Sequence, residues 1–253
     1  MASDGRHAIV TGGGTGIGRA VAAALTAAGL HVTVLGRRPA PLEATVAAGA
    51  AARADTADVT EENALAAAMA RAADALGPAL VLVNAAGVAE SAPFLRTDAA
   101  LWDRAVRVNL LGAAAAIRAA LPAMLDARRG RVVNVASTAA LRGYPYVTAY
   151  AASKHALLGL TRALALEVAA KGVTVNAVCP GFTDTDIVAE SIARLVARTG
   201  RTADEARAEL SRHNPQGRLV TPEEVAATVA FLCSDAASGI NGRALAVDGG
   251  EVP

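Results

Sequence analysis

Cysteine and net charge are both scarce in this chain. It has 253 residues but only two cysteines, Cys179 and Cys233, and its formal net charge is +1. Two cysteines so far apart indicate neither a disulfide framework nor a zinc-binding spacing. The four histidines are scattered too, so the sequence predicts no metal site. A net charge near zero argues against nucleic acids and membrane surfaces as partners, because proteins that bind them usually carry a basic patch.

Long apolar runs and an N-terminal targeting segment are also missing. Every uninterrupted apolar run is well short of the ~18 residues that span a membrane. The start, MASDGRHAIV, lacks the apolar core of a secretory signal. We therefore expect a cytoplasmic protein that does not enter a membrane. The chain is nevertheless 53% hydrophobic, and a chain of this length buries about 70–75% of its unfolded surface on folding.

Short runs rich in Val, Ile and Leu alternate with longer Ala-rich stretches. The short runs have the composition of strands buried on both faces of a parallel sheet, and they cover residues 7–11, 31–36, 79–84, 131–137, 173–178 and 244–248. The helical stretches cover residues 17–28, 61–76, 99–126, 150–171 and 221–232. This alternation predicts an α/β fold with a Rossmann-type, doubly wound parallel sheet. No linker divides the chain, so we expect one domain over residues 1–253.

One segment, residues 182–217, falls outside this alternation. It contains two amphipathic stretches of helical period, SIARLVARTG and TADEARAELSRHN. In a doubly wound fold the ligand site lies beyond the carboxyl ends of the strands. We therefore predict that residues 182–217 form a small helical lid over a substrate.

A glycine-rich turn, TGGGTGIG at residues 11–18, follows the first predicted strand and opens the first helix. Glycines in this position let a pyrophosphate approach the backbone at the helix N-terminus. The alternative is a plain turn, but its place in a strand–turn–helix unit favours dinucleotide binding. No Gly-Lys-Ser/Thr follows, which argues against a nucleotide hydrolase.

The second predicted strand ends in Gly36-Arg37-Arg38. NAD-binding units usually carry an acidic residue there for the ribose hydroxyls. A carboxylate would repel a 2′-phosphate, whereas a guanidinium can hold it with two hydrogen bonds. The pair therefore favours NADP(H), with NAD(H) still possible. The alternative is two solvated loop arginines.

Tyr150 and Lys154 lie four residues apart in the stretch AYAASKH. On a helix such residues share a face, so both can point into one site. A free phenol, with a pKa near ~10, is a poor base at neutral pH. We expect the ammonium to lower that pKa, so that the phenol exchanges a proton with a carbonyl or an alcohol. From spacing alone, an exposed Tyr beside a solvated Lys is the alternative.

These features together resemble the single-domain form of the short-chain dehydrogenase/reductase family, over almost the whole chain. The glycine turn, Asp58-Val59, the NAAG motif at residues 84–87, and Pro180-Gly181 follow in the family's order. The NAAG motif departs from the family's Asn-Asn-Ala-Gly at one position. The resemblance implies cofactor contacts at Gly12, Thr15, Gly16, Ile17, Gly18, Arg37, Arg38, Asp58, Val59, Asn84, Ala85, Gly87, Tyr150, Lys154, Pro180, Gly181, Thr183 and Thr185.

The same resemblance implies a catalytic tetrad of Asn109, Ser137, Tyr150 and Lys154. Tyr150 would be the general acid in reduction and the base in oxidation. Lys154 would lower its pKa and hold the nicotinamide ribose. Ser137 would hydrogen-bond the substrate carbonyl, and Asn109 would hold a water that links Lys154 to solvent.

The resemblance implies an NADP(H)-dependent oxidoreductase that interconverts a ketone and a secondary alcohol. Within the family, the motifs most resemble those of bacterial 3-oxoacyl-thioester reductases and polyketide ketoreductases. However, GVAESAPF lacks the Pro-Gly-Gly of many aromatic polyketide enzymes. The alternatives are an NAD(H)-linked dehydrogenase of a small cyclic, aryl or steroid alcohol, and a non-catalytic nucleotide sensor. We expect a mostly apolar substrate pocket formed by Phe94, Leu141, Tyr144, Tyr146 and Phe182.

The resemblance also implies a carrier for the substrate and an assembly of several copies of the chain. An acyl-carrier protein, or coenzyme A, would carry the substrate, and Arg128 and Lys171 occupy the family's basic carrier-docking places. Further copies of the chain would pair as a dimer of dimers through the C-terminal region and through residues 99–126 and 150–171, which carry more Ala and Leu than a solvated helix needs. We therefore expect a homotetramer.

Overall fold

A seven-stranded parallel sheet forms the centre of the computed structural model, which describes residues 7–252. The order of the strands is β3-β2-β1-β4-β5-β6-β7, so the chain reverses its direction of travel between β1 and β4. The doubly wound fold is therefore confirmed. The strands are β1 (His7–Thr11), β2 (His31–Gly36), β3 (Arg53–Thr56), β4 (Ala79–Asn84), β5 (Gly130–Val135), β6 (Val173–Pro180) and β7 (Ala244–Val247).

Helices cover both faces of this sheet, because the strands bury apolar side chains on both sides. They are α1 (Gly16–Ala27), α2 (Pro39–Ala47), α3 (Glu62–Leu76), α4 (Ala99–Val106), α5 (Gly112–Asp126), α6 (Thr148–Val168), α7 (Asp186–Thr199), α8 (Ala203–Ser211) and α9 (Pro222–Cys233). Helices α3, α5 and α6 bury residues in one core cluster, and α1 and α9 bury theirs in another across the sheet.

Two elements were not predicted from the sequence, and both lie near the β3 edge of the sheet. Strand β3 reads Arg-Ala-Asp-Thr, which lacks the Val and Ile content of a buried strand. It is held by its pairing with β2 and by Asp55, which accepts hydrogen bonds from Arg53 and Arg71. The preceding helix, α2, begins at Pro39. Edge strands need less apolar sequence, so the pattern of residues did not reveal this one.

The predicted helix over residues 99–126 is interrupted. Helices α4 and α5 are joined by one π-helical turn, Arg107–Leu111. Taken together, Ala99–Asp126 is long and apolar enough to cross a membrane, with a mean hydropathy of 1.6 in its most apolar window. This is weak evidence, because the core helix of a globular protein meets the same criterion. Here Ala116, Ala120 and Met124 pack into the core against the sheet.

The segment over residues 182–217 contains two helices, α7 and α8, as predicted. It leaves the carboxyl end of β6 and returns to the body of the fold through a β-bridge between Thr183 and Val220. Arg207 of α8 donates two hydrogen bonds to Asp184, at 3.1 and 2.5 Å. This contact ties α8 to the segment that precedes α7, and the helices follow the carboxyl end of β6, at the edge of the sheet where ligands bind in this class of fold.

Candidate active site

A groove runs along the carboxyl edge of the sheet, on the side of β1, β2 and β4. The glycine-rich turn, the end of β2 and the segments after β3 and β4 form its walls. Most of the residues predicted to contact a cofactor lie here, namely Gly12, Thr15, Gly16, Ile17, Gly18, Arg37, Arg38, Asp58, Val59, Ala85, Gly87 and Thr185.

The glycines in this groove are required by its close packing. A Cβ on Gly18 would lie 2.1 Å from the backbone oxygen of Gly12, so no larger residue allows α1 to start this close to the turn. Gly12 has a φ of +68°, and a Cβ there would lie 2.8 Å from the backbone of Ala86. The result is a cradle of exposed backbone at the N-terminus of α1, which fits the pyrophosphate of a dinucleotide.

The far end of the groove carries two cations and one anion. Arg37 and Arg38 follow β2, and the Nε atom of Arg37 lies 4.0 Å from an oxygen of Asp58. This ion pair is weak, because 68% of the Arg37 side chain is exposed to solvent. Asp58 also accepts hydrogen bonds from the backbone and the side chain of Thr60. Arg37 thus remains available to a ligand in the groove.

A second cavity of about 320 Å³ adjoins the groove. Three residues of the predicted tetrad, Ser137, Tyr150 and Lys154, line it. Tyr150 and Lys154 share one face of α6, and the Nζ atom of Lys154 lies 5.8 Å from the centre of the Tyr150 ring. Ser137 enters from the end of β5. The two cavities share Ile17, Ala85, Gly87, Val88, Thr185 and Ile187.

Burial controls the proton affinities of this pair. It raises the pKa of Tyr150, and a hydrogen bond with Ser137 opposes this shift. It lowers the pKa of Lys154 to about 8, although the nearby Cys179 has a smaller opposite effect. The groups that shift the Tyr150 pKa are thus the surrounding burial, Ser137 and Cys179, and Lys154 is not among them. The ammonium donates its hydrogen bond to the backbone oxygen of Val135, at 2.8 Å.

Asn109 lies behind the cavity, on the π-helical turn between α4 and α5. Its amide accepts a hydrogen bond from the backbone N–H of Val88 and donates one to the oxygen of the same residue, at 2.9 and 3.0 Å. It also donates to Ser153 of α6. Single π-helical turns inside α-helices are frequent at functional sites. Here the turn brings the Asn109 amide against the segment that follows β4.

Six residues predicted to contact the cofactor lie outside the groove. Five of them line the second cavity instead, namely Tyr150, Lys154, Pro180, Gly181 and Thr183. Asn84 lines neither cavity, because its amide is buried and donates to the side-chain oxygen of Asn134, at 2.9 Å. Asn134 in turn donates to Thr161 of α6. The Asn84 side chain therefore connects β4 to β5 and α6, and its contact with the cofactor stays a prediction.

Two of the five residues predicted for the substrate wall line the second cavity, and the other three do not. Tyr144 and Phe182 line the second cavity, with their ring centres 6.3 Å apart. Phe94 is 66% exposed on a 3₁₀ turn, and Tyr146 is 61% exposed. Leu141 packs against the core cluster that contains Leu157 and Cys179. These three residues are apolar and close in sequence to the site, but the local backbone turns them away from it.

The sequence reasoning missed the face of α7 that lines the second cavity. Ile187, Val188, Ser191 and Arg194 follow the i, i+1, i+4, i+7 spacing of one helix face. That spacing was visible in the sequence and could have identified them. His213 and Glu90 also line the cavity, and neither carried a signal of its own.

Arg128 and Lys171 do not lie at the mouth of this site. Arg128 precedes β5 and Lys171 precedes β6, so both stand at the amino edge of the sheet. The site is at the carboxyl edge, and β5 is six residues long, or about 17–20 Å. A carrier docked at the mouth would therefore not contact either residue of the same chain. Docking of a carrier through these two residues stays a prediction.

A dinucleotide cradle that opens into a cavity with a Tyr, a Lys and a Ser defines a class of protein. It is the class of oxidoreductases that use a nicotinamide dinucleotide. Comparison with known proteins confirms the class. The family model described as enoyl-(acyl carrier protein) reductase matches residues 12–251.

The chain belongs to the short-chain dehydrogenase/reductase family, whose members bind NAD(P) and act on secondary alcohols or the corresponding ketones. It is 39% identical to 2-(S)-hydroxypropyl-CoM dehydrogenase 3 of Xanthobacter autotrophicus, over 95% of this chain and 94% of the relative. It is 41% identical to cis-4-hydroxycyclohexanecarboxylate dehydrogenase of Sinomonas cyclohexanicum, over 97% and 96%. A variant of actinorhodin polyketide ketoreductase, crystallised with NADPH, matches at a TM-score of 0.94 and 36% identity, over 99% of both chains.

Proposed function

We propose that this protein is an NADP(H)-dependent reductase of a ketone, working through Tyr150, Ser137, Lys154 and Asn109. The observation that carries the proposal is that the cavity holding Tyr150 and Ser137 opens directly into the dinucleotide groove. A substrate in that cavity would therefore lie next to the phenol and also next to a cofactor bound in the groove. Hydride transfer itself is the chemistry that the cofactor supplies.

Tyr150 and Ser137 act on the carbonyl oxygen of the substrate. As negative charge develops on that oxygen, the Ser137 hydroxyl donates a hydrogen bond and the Tyr150 hydroxyl donates its proton. Burial raises the pKa of Tyr150, so the phenol keeps its proton at neutral pH and serves as an acid in reduction.

Lys154 and Asn109 prepare the site. Lys154 is 4% exposed, and burial lowers its pKa to about 8, so its proton can be exchanged near neutral pH. Its Nζ atom would hold the nicotinamide ribose and pass a proton toward Tyr150. Asn109 fixes the backbone at Val88, which lines both cavities. Gly87 leaves room between Asn109 and Lys154, because a Cβ there would lie 3.2 Å from the Asn109 oxygen.

The substrate that we favour is a 3-oxoacyl thioester or a similar ketone. The likeness to a polyketide ketoreductase over the full chain supports this class. The alternative is an NAD(H)-linked dehydrogenase of a small cyclic alcohol, which a relative named for hydroxycyclohexanecarboxylate supports. A turnover screen of acyl-thioester, cyclic-ketone and aryl-ketone substrates with NADPH and NADH separates the two. Absence of turnover with any ketone would favour a nucleotide sensor.

The cofactor preference is expected to depend mainly on Arg37, with Arg38 secondary. Loss of a charge-assisted contact to a 2′-phosphate is worth about 1.5–3 kcal/mol, or roughly ten- to a hundredfold in affinity. Arg37→Asp should therefore weaken NADPH binding by that factor and shift the preference toward NADH. Titration of both cofactors against wild type and variant measures this. A wild-type preference for NADH would contradict the assignment.

Assembly into a homotetramer remains part of the proposal. Leu111, at the π-helical turn, and Leu166, on α6, are exposed although they are large and apolar. Exposed apolar residues on neighbouring helices are typical of subunit contacts. We expect light scattering at micromolar concentration to give the mass of four chains. We expect Leu166→Glu to lower that mass, whereas a monomeric wild type would refute the assembly.

A further inference from the structure

The second cavity contains titratable side chains that the proposed reaction does not use. Besides Tyr150 and Lys154, its lining includes Glu90, Tyr144, Arg194 and His213. A few polar groups in a mostly apolar pocket determine which class of ligand it accepts. Those groups that are not already hydrogen-bonded or ion-paired within the protein are therefore the ones available to bind a substrate.

Two of the four groups are already paired. Both carboxylate oxygens of Glu90 accept hydrogen bonds from Arg104, at 3.0 and 2.9 Å, and this contact lowers the pKa of Glu90. The Tyr144 hydroxyl donates to Glu251, at 2.5 Å. Burial and this carboxylate raise the pKa of Tyr144. Tyr144 therefore keeps its proton, which it donates in a hydrogen bond to Glu251, and it does not compete with Tyr150 as the acid.

Arg194 retains unused hydrogen-bond donors. It has five N–H groups, and one of its nitrogens donates to the Ser191 hydroxyl at 2.9 Å. Arg194 also forms an ion pair with Glu190, at 3.7 Å, in which both side chains are exposed to solvent. Such a pair contributes at most about 1 kcal/mol. The guanidinium is therefore free to bind an anion that enters the cavity.

His213 also lines the second cavity, and its ring is held by neighbouring aromatic side chains. Its Nδ1 atom lies 3.8 Å from an oxygen of Glu251, whose side chain is 1% exposed. The imidazole ring packs between Phe182 and Tyr144, with centre distances of 5.3 and 5.9 Å. At 3.8 Å the contact with Glu251 is longer than a hydrogen bond, so it is the packing of the two aromatic rings that holds the imidazole in place. His213 can thus act as a second donor toward a ligand.

Arg194 lies at the end of the cavity that is remote from the cofactor groove. On α7, Ile187 lines both cavities and Arg194 lines only the second. A spacing of seven positions is about two helical turns, so Arg194 lies on the same face and about 10 Å further along the axis. An anion bound there is therefore separated from the part of α7 that borders the cofactor groove.

We propose that the cavity binds a ketone or secondary alcohol that carries an anionic oxygen group, held by Arg194 with His213 as the second donor. The group is a carboxylate of a free oxo acid or a phosphate of a coenzyme A thioester, and both offer the same charged oxygens to a guanidinium. This inference rests on the proposed oxidoreductase function and narrows its substrate class.

Matched substrates test the inference. Initial rates with NADPH are compared for an oxo acid and its methyl ester, and for a 3-oxoacyl coenzyme A and the same acyl group on N-acetylcysteamine, which has no phosphate. The charged member of at least one pair is expected to have the higher kcat/KM. Equal kcat/KM values within both pairs would overturn the inference. They would leave the proposed function intact, because the neutral ketones would still be reduced.

Variants identify the residue responsible. Arg194→Gln should lower kcat/KM for the preferred charged substrate by roughly ten- to a hundredfold and leave its neutral partner within about twofold. Arg194→Lys should restore part of the loss. Arg201→Gln is the matched control, because Arg201 is near the same helix but does not line the cavity. An equal loss on charged and neutral substrates with Arg194→Gln would overturn the assignment. No turnover of any ketone by the wild type would instead refute the proposed function.

Discussion

Tyr150→Phe lowers the turnover of the best ketone substrate by at least ~10²-fold, as expected for the loss of an acid–base group. The substitution keeps the buried ring and removes only the hydroxyl that faces Ser137. NADPH affinity should change little, because the residues of the dinucleotide groove are untouched. Steady-state rates and a fluorescence titration of NADPH measure the two quantities separately.

Tyr146→Phe is the matched control for this experiment. Tyr146 is the same residue type, lies four positions earlier and is 61% exposed outside the cavity. It should therefore keep wild-type turnover. Wild-type turnover in Tyr150→Phe, or an equal loss in both variants, would show that the phenol of Tyr150 is not the proton donor.

Lys154→Met is expected to abolish most of the activity. It should also raise the stability of the cofactor-free protein relative to wild type, and this gain should be larger at neutral pH than at high pH. Burial lowers the pKa of Lys154 from its ordinary value to about 8, so the charged form is disfavoured in the folded state. Below pH 8 this lysine therefore destabilises the fold, by about 3 kcal/mol for a shift of this size. The loss of its hydrogen bond to Val135 offsets part of the gain in the variant.

The sign of the pH dependence follows from proton counting. Between pH 8 and about 10.5 the unfolded chain binds the Lys154 proton and the folded chain does not, so wild-type stability rises with pH. The variant lacks this group. The stability of Lys154→Met minus that of wild type should therefore fall by about 2–3 kcal/mol from pH 7 to pH 10. Tyr150 is present in both proteins, so its titration cancels from this difference.

Urea unfolding at several pH values measures this difference, with Lys171→Met as the control. Lys171 is the only other lysine of the chain and is exposed on a turn before β6. Its variant should show no such pH-dependent difference. A difference for Lys154→Met that does not change with pH would show that the buried ammonium carries no penalty.

The location of the site could be predicted from the sequence because its main parts are local. A glycine turn after a strand, two side chains four residues apart on a helix, and two arginines at a strand end each depend on short spacings. The helices of residues 182–217 were predicted for the same reason. The alternation of strands and helices placed all these pieces at one edge of a parallel sheet.

The tertiary structure alone decided which side chains face the substrate and how the site is charged. Phe94, Leu141 and Tyr146 were predicted to line the pocket, but loop geometry turns them to solvent or into the core. Asn84 donates to Asn134, fifty residues away, a contact that no local pattern reveals. Arg128 and Lys171 stand at the opposite edge of the sheet from the site.

The pKa of Tyr150 shows the physical reason most clearly. Its spacing from Lys154 follows from the helix and is visible in the sequence. Its proton affinity depends instead on how deeply the surrounding chain buries the phenol, and burial raises its pKa where the spacing from Lys154 had predicted a lowering. Spacing along one helix is a local property of the sequence, whereas desolvation is the sum of contacts from distant parts of the chain.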